Sequence, residues 1–256
     1  MTSETSTESL YDDHAGNWAR HEPVLLSDFT ARPRVIDALG DLSGRRVLDL
    51  GCGEGYVART LLKSGADFIH GVDISKEMIE LARTAIPADA TERLRFESCD
   101  LAGGLDLPER SFDDAIAVFL FNYLTSEQTA GVMQLVSRFV RPGGRFVFTV
   151  PHPALAWMRP HEEPFYFDAD GSTYQNAVDS TLEGQIWRRD GSAVPVRAVH
   201  KTFTDYIDLL RDAGWTRLPK IEELYVTDAH VELDPRFFGP LRGTPLHVMF
   251  TVELPA

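Results

Sequence analysis

The sequence predicts a doubly wound α/β fold with a mostly parallel sheet of about seven strands. Short apolar runs alternate with segments of helical periodicity through the middle of the chain, which is typical of right-handed strand–helix–strand units. A glycine-rich turn follows the first run, residues 46–50, and opens the first helical segment, residues 56–63. Acidic residues follow the ends of three predicted strands, at the edge where open sheets of this class bind ligands.

Hydrophobic patterning locates each element of this sheet. Strands are predicted at residues 46–50, 68–72, 94–97, 114–119, 145–150, 221–227 and 245–253. Helices are predicted at residues 56–63, 75–85, 127–140 and 203–213. Ser75 is a natural N-cap for the second helix, and the breakers at 141–144 end the third. The fourth strand is almost entirely apolar, which indicates that both faces of the sheet are covered.

These elements divide the chain into four segments. Residues 1–40 are predicted to be largely helical, either as a lid over a ligand or as a packing helix, and residues 41–151 hold the first five strands. Residues 152–201 are rich in Pro, Gly and aromatic residues. They are interpreted as an insertion over the open edge of the sheet, with a hairpin turn at Asp190-Gly191. Residues 202–256 complete the sheet.

Composition and charge narrow the classes of function. The 256 residues, 43% of them hydrophobic, suit one α/β domain with an elaboration. The formal net charge of −14 disfavours a nucleic-acid substrate, because the average field repels a polyanion. No apolar run is long enough to span a bilayer and the first residues do not resemble a signal peptide, so a cytoplasmic protein without membrane contact is expected. Cys52 and Cys99 are expected to be free thiols.

The most informative motif is the segment 49–55, which follows the first strand and opens the first helix. Its glycines, Gly51, Gly53 and Gly55, permit a tight turn and a close approach of a ligand to the backbone. Dinucleotide sites require the spacing Gly-x-Gly-x-x-Gly, which these positions do not have. Asp49 at the strand end suits a ligand with ammonium and sulfonium charge better than one with pyrophosphate.

Two further carboxylates stand at the ends of the second and third strands. Asp73 can accept hydrogen bonds from ribose hydroxyls, and Asp100 can accept one from the exocyclic amine of an adenine. Simpler structural roles stay open for two of these acids, because Asp49 can cap a helix and Asp100 can be a turn residue.

These segments resemble the class I methyltransferases that depend on S-adenosylmethionine (SAM). The resemblance covers roughly residues 45–150, and it implies a Rossmann-like core that binds SAM and releases S-adenosylhomocysteine (SAH). Five motifs occur in the expected order: the glycine segment 49–55, Gly71-Val72-Asp73-Ile74-Ser75, Cys99-Asp100-Leu101, Ser111-Phe112-Asp113 and Arg141-Pro142-Gly143-Gly144. One such motif alone is a weak indication, whereas five in register are specific.

The resemblance also implies roles for individual residues. Asp49 and the backbone at Gly51 are expected to hold the amino-acid end of SAM, and Asp73 is expected to hold the ribose. The other expected contacts are Ile74, Asp100 and Leu101 with the adenine, Phe119 with the methionine portion, and Tyr11 and Trp18 from a closing N-terminal helix.

His152 is the best candidate for a general base. It stands just past the fifth strand, where the methyl group should point, and histidine titrates near neutral pH. A structural role between Pro151 and Pro153 stays open. Contacts with the methyl acceptor are expected from Asn122, Tyr123, His161, Tyr166, Trp187 and His200. The aromatic cluster 165–167 is expected either to wall an apolar acceptor or to pack the insertion onto the domain, and no histidine spacing indicates a metal site.

We therefore predict a SAM-dependent methyltransferase that acts on a small molecule, by analogy an intermediate of bacterial secondary metabolism such as antibiotic biosynthesis. Whether oxygen, nitrogen or carbon is methylated stays open. The alternatives are a tRNA or protein methyltransferase, an enzyme that uses SAM without methyl transfer, and a non-catalytic SAM-binding protein. The N-terminal segment also leaves open a homo-oligomer in which it exchanges between subunits.

Overall fold

The computed structural model describes residues 22–255 and contains a seven-stranded sheet and a smaller three-stranded sheet. The strands are β1 (Arg46–Leu50), β2 (Phe68–Asp73), β3 (Leu94–Ser98), β4 (Phe112–Val118), β5 (Val140–Pro151), β6 (Phe165–Phe167), β7 (Thr181–Trp187), β8 (Ala193–Val199), β9 (Lys220–Tyr225) and β10 (Pro245–Glu253). Tyr11 and Trp18, and with them much of the predicted N-terminal lid, lie outside the described residues.

The helices connect and cover these strands. They are α1 (Leu26–Thr30), α2 (Arg32–Leu39), α3 (Tyr56–Lys63), α4 (Lys76–Thr84), α5 (Ser126–Phe139), α6 (Leu155–Met158), α7 (Phe203–Asp212), α8 (Asp228–Leu233) and α9 (Pro235–Phe238). Short 3₁₀ turns at Leu101–Gly103 and Phe121–Tyr123 follow the ends of β3 and β4. Ser75 caps α4 as predicted, since its side chain accepts a hydrogen bond from the Met78 N–H.

The large sheet has the strand order β3-β2-β1-β4-β5-β10-β9. The first five strands are parallel, and β10 and β9 pair antiparallel at the other edge. This confirms the predicted Rossmann-like, mostly parallel sheet. The strand order reverses between β1 and β4: strands before this point are added on one side of β1, and later strands on the other. The carboxyl ends of β1 and β4 therefore form the crevice where such sheets bind ligands.

Hydrophobic packing on both faces holds the large sheet in place. In β4, Ala115 and Ala117 pack into the core on one face, and Ile116 and Val118 pack into the core on the other. Every residue of β4 is buried. The continuous apolar run in the sequence therefore reflects a strand that helices cover on both sides.

Most predicted boundaries agree with the structure within two residues, but the start of the fifth strand differs by more. Strand β5 begins at Val140, five residues before the predicted start, and runs through the glycines that were expected to separate helix from strand. Distant partners cause this: Val140 pairs with Phe112, and Gly143 and Gly144 exchange backbone hydrogen bonds with Leu254. Local breaker chemistry predicts where α5 ends, but it does not predict a pairing with the end of the chain.

The predicted insertion contains the smaller sheet, in which β6, β7 and β8 pair antiparallel. We call β6–β8 the cap sheet. Gly191, at φ +85°, lies in the predicted hairpin turn between β7 and β8. A bridge between Leu25 and Arg188 joins the cap sheet to the start of α1, and its apolar residues share a core with α1 and α9.

Over residues 22–255, no helix is long and apolar enough to cross a membrane. Both cysteines are free thiols, as predicted, with Cys52 buried and Cys99 half-buried. No group of three or more His, Cys, Asp or Glu side chains within the same range is arranged to hold a metal ion.

Candidate active site

A cavity of about 340 Å³ opens at the carboxyl ends of the parallel strands. Its acidic half is built from the ends of β1, β2 and β3 and is lined by Asp49, Glu54, Asp73, Ile74, Asp100 and Leu101. Its aromatic half lies between the ends of β4, β5 and β10 and the cap sheet and is lined by Phe119, Asn122, Tyr123, Phe165, Phe167, Ile186, Val196 and His247. The cavity therefore joins a site for a polar cation to a site for an apolar group.

The turn between β1 and α3 carries three glycines in the left-handed region. Gly51 and Gly53 line the cavity, and a Cβ added at Gly53 would meet no atom within 4 Å. The Gly53 N–H donates to Asp73 Oδ2 at 2.8 Å, which ties the turn to β2. Gly55 does not line the cavity, because a Cβ there would lie 2.7 Å from Cζ of Phe96 on β3. The ligand contact expected at Gly55 is corrected to a packing role.

Replacing Gly55 with Ala is expected to lower the free energy of unfolding by about 2–3 kcal/mol, from left-handed strain and from overpacking against Phe96. Gly53→Ala is the matched control, because it adds the same strain at φ +55° in open space. We expect it to cost about 1 kcal/mol. Urea denaturation measures both values, and equal losses in the two variants would contradict the packing role.

Asp49 is a buried carboxylate without a full set of partners. It lies on β1 with 1% of its surface exposed, and its Oδ2 accepts no hydrogen bond within the described residues. Burial, followed by repulsion from Asp73 and Glu54, raises the pKa of Asp49 to about 7, although Arg32 acts in the opposite direction. A positively charged ligand group would supply the missing partner.

Asp73 ends β2 with both carboxylate oxygens oriented by the backbone. Oδ2 accepts the Gly53 N–H, and Oδ1 accepts the Ser75 N–H at 3.0 Å. Asp73 also lines the cavity, so its carboxylate faces the space where a ligand would bind. Ile74, the next residue, lines the cavity beside it.

Asp100 and Leu101 lie at the end of β3, at the outer part of the acidic half. Asp100 is exposed, and its Oδ1 accepts the Ala102 N–H at 3.0 Å, which caps the 3₁₀ turn Leu101–Gly103. The turn role that stayed open in the sequence is therefore present, and Asp100 also lines the cavity. Leu101 is buried against the cavity.

Phe119 separates the two halves just past β4. It has the left-handed φ of +61°, which is uncommon for an aromatic residue. Its ring meets the His247 ring edge to face at 4.9 Å, and the Arg32 guanidinium lies 5.5 Å from the ring centroid. Strained backbone of this kind clusters at ligand sites, where the surrounding structure holds it.

Asn122 and Tyr123, both expected to contact the acceptor, line the aromatic half from the 3₁₀ turn after β4. The ammonium of Lys201 holds this turn from below, donating to the carbonyl of Phe121 at 3.0 Å and to that of Leu124. Burial lowers the pKa of Lys201 to about 8. The end of the cap sheet thereby fixes the loop that carries Asn122.

Comparison with known proteins identifies the family. Residues 47–144 match a family described as a methyltransferase domain. A demethylmenaquinone methyltransferase of Tropheryma whipplei is 32% identical over 145 residues, 56% of this chain and 55% of that protein. A 27-O-demethylrifamycin SV methyltransferase of Amycolatopsis mediterranei is 32% identical over 148 residues, 55% of this chain and 53% of that protein. The chain thus matches about half the length of these curated relatives.

A solved structure extends the likeness beyond the motif region. The SAM-dependent methyltransferase from Mesorhizobium loti is 25% identical and superimposes with a TM-score of 0.65, covering 86% of this chain and 96% of that one. The chain belongs to the class I SAM-dependent methyltransferases. The predicted family, enzyme class and cofactor are thereby confirmed.

The acidic half of the methyltransferase fits SAM on its own geometry. The buried Asp49 Oδ2 lacks a partner within residues 22–255, and the ammonium of SAM is a cation of the kind it requires. A Cβ at Gly53 would meet no atom within 4 Å, so the backbone there is open to a ligand, and the carboxylate of Asp73 lines the same part of the cavity. The carboxylate groups of this half therefore match a cationic adenosyl ligand, whose ammonium and hydroxyl groups are donors.

In the cap sheet, alternate residues face the methyltransferase cavity. Phe165, Phe167 and Ile186 line it, whereas Tyr166 and Trp187 do not and lie with their ring centroids 6.1 Å apart. The acceptor contacts expected at Tyr166 and Trp187 are therefore corrected to their neighbours in the sequence. The physical reason is that successive side chains of a strand point to opposite faces.

Two histidines expected to contact the acceptor also lie outside the cavity. His161 is half exposed, stacks on Tyr166 at 5.0 Å, and has its Nε2 3.3 Å from Asp168. His200 is buried, with its Nε2 2.8 Å from the carbonyl oxygen of Tyr174. Both rings are engaged by contacts within the insertion, and neither lines the cavity, so their contact with the acceptor stays a prediction.

His152 does not line the cavity, which gives no support to its expected role as general base. Its Nδ1 accepts the Ala154 N–H at 3.2 Å, which leaves Nε2 as the protonated nitrogen, 2.9 Å from Glu223 Oε1. Both ring nitrogens are therefore engaged in fixing the loop after β5. The structural alternative that stayed open between the two prolines agrees with this geometry.

Arg32 and His247 are among the polar residues of the methyltransferase cavity that sequence reasoning missed. Arg32 on α2 lies at the junction of the two halves and reaches Asp28 Oδ1 at 2.9 Å and the Ser27 hydroxyl. His247 on β10 is buried in the aromatic half. For His247 the indication in the sequence was a polar residue in the otherwise apolar run 245–250, between Leu246 and Val248.

Proposed function

We propose that this enzyme transfers a methyl group from SAM to a small, largely apolar acceptor, an intermediate in the biosynthesis of a bacterial natural product. The observation that carries the proposal is the aromatic half of the cavity. Phe119, Phe165, Phe167 and Ile186 wall it, and the cap sheet covers it from above. Enclosed pockets lined in this way bind compact apolar ligands, whereas a tRNA or protein substrate requires an open surface.

The residues of the acidic half are proposed to hold SAM. Asp49 and the Gly51 backbone bind its amino-acid end, and Asp73 binds the ribose hydroxyls. Ile74, Asp100 and Leu101 contact the adenine, and Phe119 flanks the methionine portion. Gly53 has no side chain, so the ligand can lie close to the backbone of the turn.

When bound, SAM supplies a methyl group that its positively charged sulfur has already activated. The protein must then orient the acceptor and exclude water, and positioning of this kind supplies a large part of such an acceleration. Phe119 separates the two halves of the cavity, so the methyl group and the acceptor atom are proposed to meet beside its ring. The acceptor is proposed to be positioned by the loop at Asn122, which Lys201 fixes, and by strand β10.

The relatives support a small acceptor. Two of them are named as methyltransferases of demethylmenaquinone and of 27-O-demethylrifamycin SV, neither of which is a nucleic acid or a protein. The formal net charge of −14 is unfavourable for RNA binding.

The test is incubation of the purified enzyme with methyl-labelled SAM and fractionated bacterial extracts. Label in a small molecule whose mass has risen by one methylene supports the proposal. Label in RNA or protein fractions supports the macromolecular alternatives, and SAM consumption without a mass gain of one methylene supports an enzyme that uses SAM differently. Binding of SAM without turnover in any fraction would indicate a non-catalytic SAM-binding protein.

Replacing Asp73 with Ala is expected to weaken SAM binding about tenfold, because the ribose hydroxyls lose a charged acceptor. Isothermal titration calorimetry measures the dissociation constant, and a thermal melt confirms that the variant is folded. Asp106→Asn is the control, since Asp106 is exposed and does not line the cavity. An unchanged dissociation constant in Asp73→Ala would refute the ribose assignment.

A further inference from the structure

His247 is a buried polar side chain whose ring nitrogens the described residues leave without a hydrogen bond. Only 3% of its surface is exposed, and neither Nδ1 nor Nε2 has a hydrogen-bond partner within the described part of the chain. Buried imidazole nitrogens are ordinarily paired, since an unpaired buried polar group costs free energy. His247 lines the aromatic half, so its missing partner is expected in the cavity.

The topology of the sheet brings His247 to this edge. Because β10 runs antiparallel to β5, its first residues lie at the carboxyl ends of the parallel strands, and His247 pairs with Pro151. The register of β10 against β9 shifts between Pro245 and His247. Irregularities of this kind re-aim side chains next to active sites.

Aromatic rings enclose His247 on the cavity side. The Phe119 ring lies 4.9 Å from it at 70°, and the Phe165 ring lies 5.7 Å from it at 40°. A flat apolar group that binds beside these rings in the cavity would lie next to the imidazole. Asn122 contributes a second unpaired group to the same half, since it is 4% exposed and its Oδ1 has no partner within residues 22–255.

The charge state of His247 decides which groups suit it. Burial, followed by repulsion from Arg32 and from His152, lowers the pKa of His247 to about 3, so the ring is neutral at physiological pH. A neutral imidazole offers one N–H donor and one lone pair. A hydroxyl both donates and accepts and carries no charge, so it suits a neutral ring in an apolar pocket better than a protonated amine does.

We propose that His247 is the hydrogen-bond partner of the methyl acceptor's hydroxyl group, and that the acceptor is a hydroxyl on a flat, apolar, ring-containing skeleton. This inference rests on the proposed function and refines it to oxygen methylation. The ring recognises and orients the hydroxyl beside Phe119. Asn122 is a second polar contact for the same skeleton.

A matched pair of ring compounds tests the inference without the natural acceptor. Calorimetry on the SAH-saturated enzyme compares 2-naphthol with 2-methylnaphthalene, which has a similar shape but no hydroxyl. We expect wild-type enzyme to bind 2-naphthol about tenfold more tightly, because only the hydroxyl pairs with His247. His247→Phe fills similar space without a hydrogen bond, and we expect it to reduce the preference to less than about twofold.

His161→Phe is the matched control, because His161 is half exposed and lies outside the cavity. It should retain the wild-type preference. Equal affinities of the two compounds for the wild-type enzyme would overturn the inference even if His247→Phe does not fold. A preference that survives in a folded His247→Phe variant would overturn it as well.

Failure of both compounds to bind would overturn the proposal that the acceptor is a hydroxyl on a flat, ring-containing skeleton. The labelled-SAM experiment decides the proposed function separately, because it does not depend on the chemistry of the acceptor. Transfer of label to an amine or carbon of a small molecule would leave the proposed function intact and refute the hydroxyl assignment.

Discussion

Asp49→Asn is expected to weaken SAM binding about 100-fold, the largest effect on the site that we predict. The substitution keeps the shape of the side chain and removes the negative charge that would pair with the ammonium of SAM in a buried place. Calorimetry measures the dissociation constant of each protein. Asp106→Asn, an equal change on an exposed residue away from the cavity, should leave it unchanged.

The same carboxylate should make SAM binding depend on pH. The pKa of Asp49 is raised to about 7 in the cofactor-free protein, chiefly by burial. Because a cation binds the ionised form, we expect the affinity to fall by up to about tenfold per unit as the pH drops below 7. Calorimetry from about pH 5.5 to about pH 7.5 should show this dependence of the SAM affinity on pH in the wild type, and an affinity independent of pH in Asp49→Asn. A sloping profile in the variant would exclude Asp49 as the group responsible.

Stability of the cofactor-free protein provides an internal control. The pKa of Asp49 is higher in the folded state than its usual value, so the folded state binds more protons than the unfolded state between these values. Stability is therefore lost as the pH rises through this window. Asp49→Asn removes that loss, and its melting temperature at pH 8 should equal or exceed that of wild type. A lower melting temperature would indicate that Asp49 stabilises the fold.

Asp114→Ala is expected to lower the free energy of unfolding by about 3 kcal/mol, the largest effect on stability that we predict. Asp114 is fully buried in β4, and two arginines bind it bidentately. Arg45 donates to it at 2.6 Å and 2.9 Å, and Arg145 donates at 2.8 Å and 3.1 Å. Removing the carboxylate leaves two partly buried guanidinium groups without their partner.

Urea denaturation measures this loss, and Glu109→Ala is the matched control. Glu109 pairs with Arg138 at 3.2 Å, but both side chains are more than half exposed. Exposed pairs of this kind contribute about 0–1 kcal/mol. Asp114 lies toward the amino end of β4, so SAM affinity should be unchanged in folded Asp114→Ala. A large loss of SAM affinity would show that the ion pair at the amino ends of the strands is coupled to the site at their carboxyl ends.

Local patterns predicted the elements that depend on local chemistry. The bounds of β1, α3 and β10 agree residue by residue with the predictions, because apolar periodicity and flanking breakers act within a few residues. The motif at 49–55 and the acids at strand ends predicted the acidic half of the cavity for the same reason. Parallel strands carry their carboxyl ends to one edge, so Asp49, Asp73 and Asp100 had to meet there.

The residues of the aromatic half could not be predicted from local sequence patterns, because they depend on how distant segments pack together. The pattern of β6 and β7 predicts alternation, but not which set of side chains faces the cavity. In the structure Phe165, Phe167 and Ile186 line it, and Tyr166 and Trp187 do not. The loop after β5 turns His152 toward Glu223, on a distant strand, and away from the cavity.

The amino-acid sequence by itself determined the fold class, the family and the residues of the acidic half, because each depends on short-range spacing within one strand–turn–helix unit. Only the tertiary structure decided which polar groups line the aromatic half. His247 is distant in the sequence from every motif, and it reaches the site because β10 runs antiparallel to β5 and begins at the active edge. Strand direction and the packing of the cap are set by long-range contacts, and these exist only once the chain has folded.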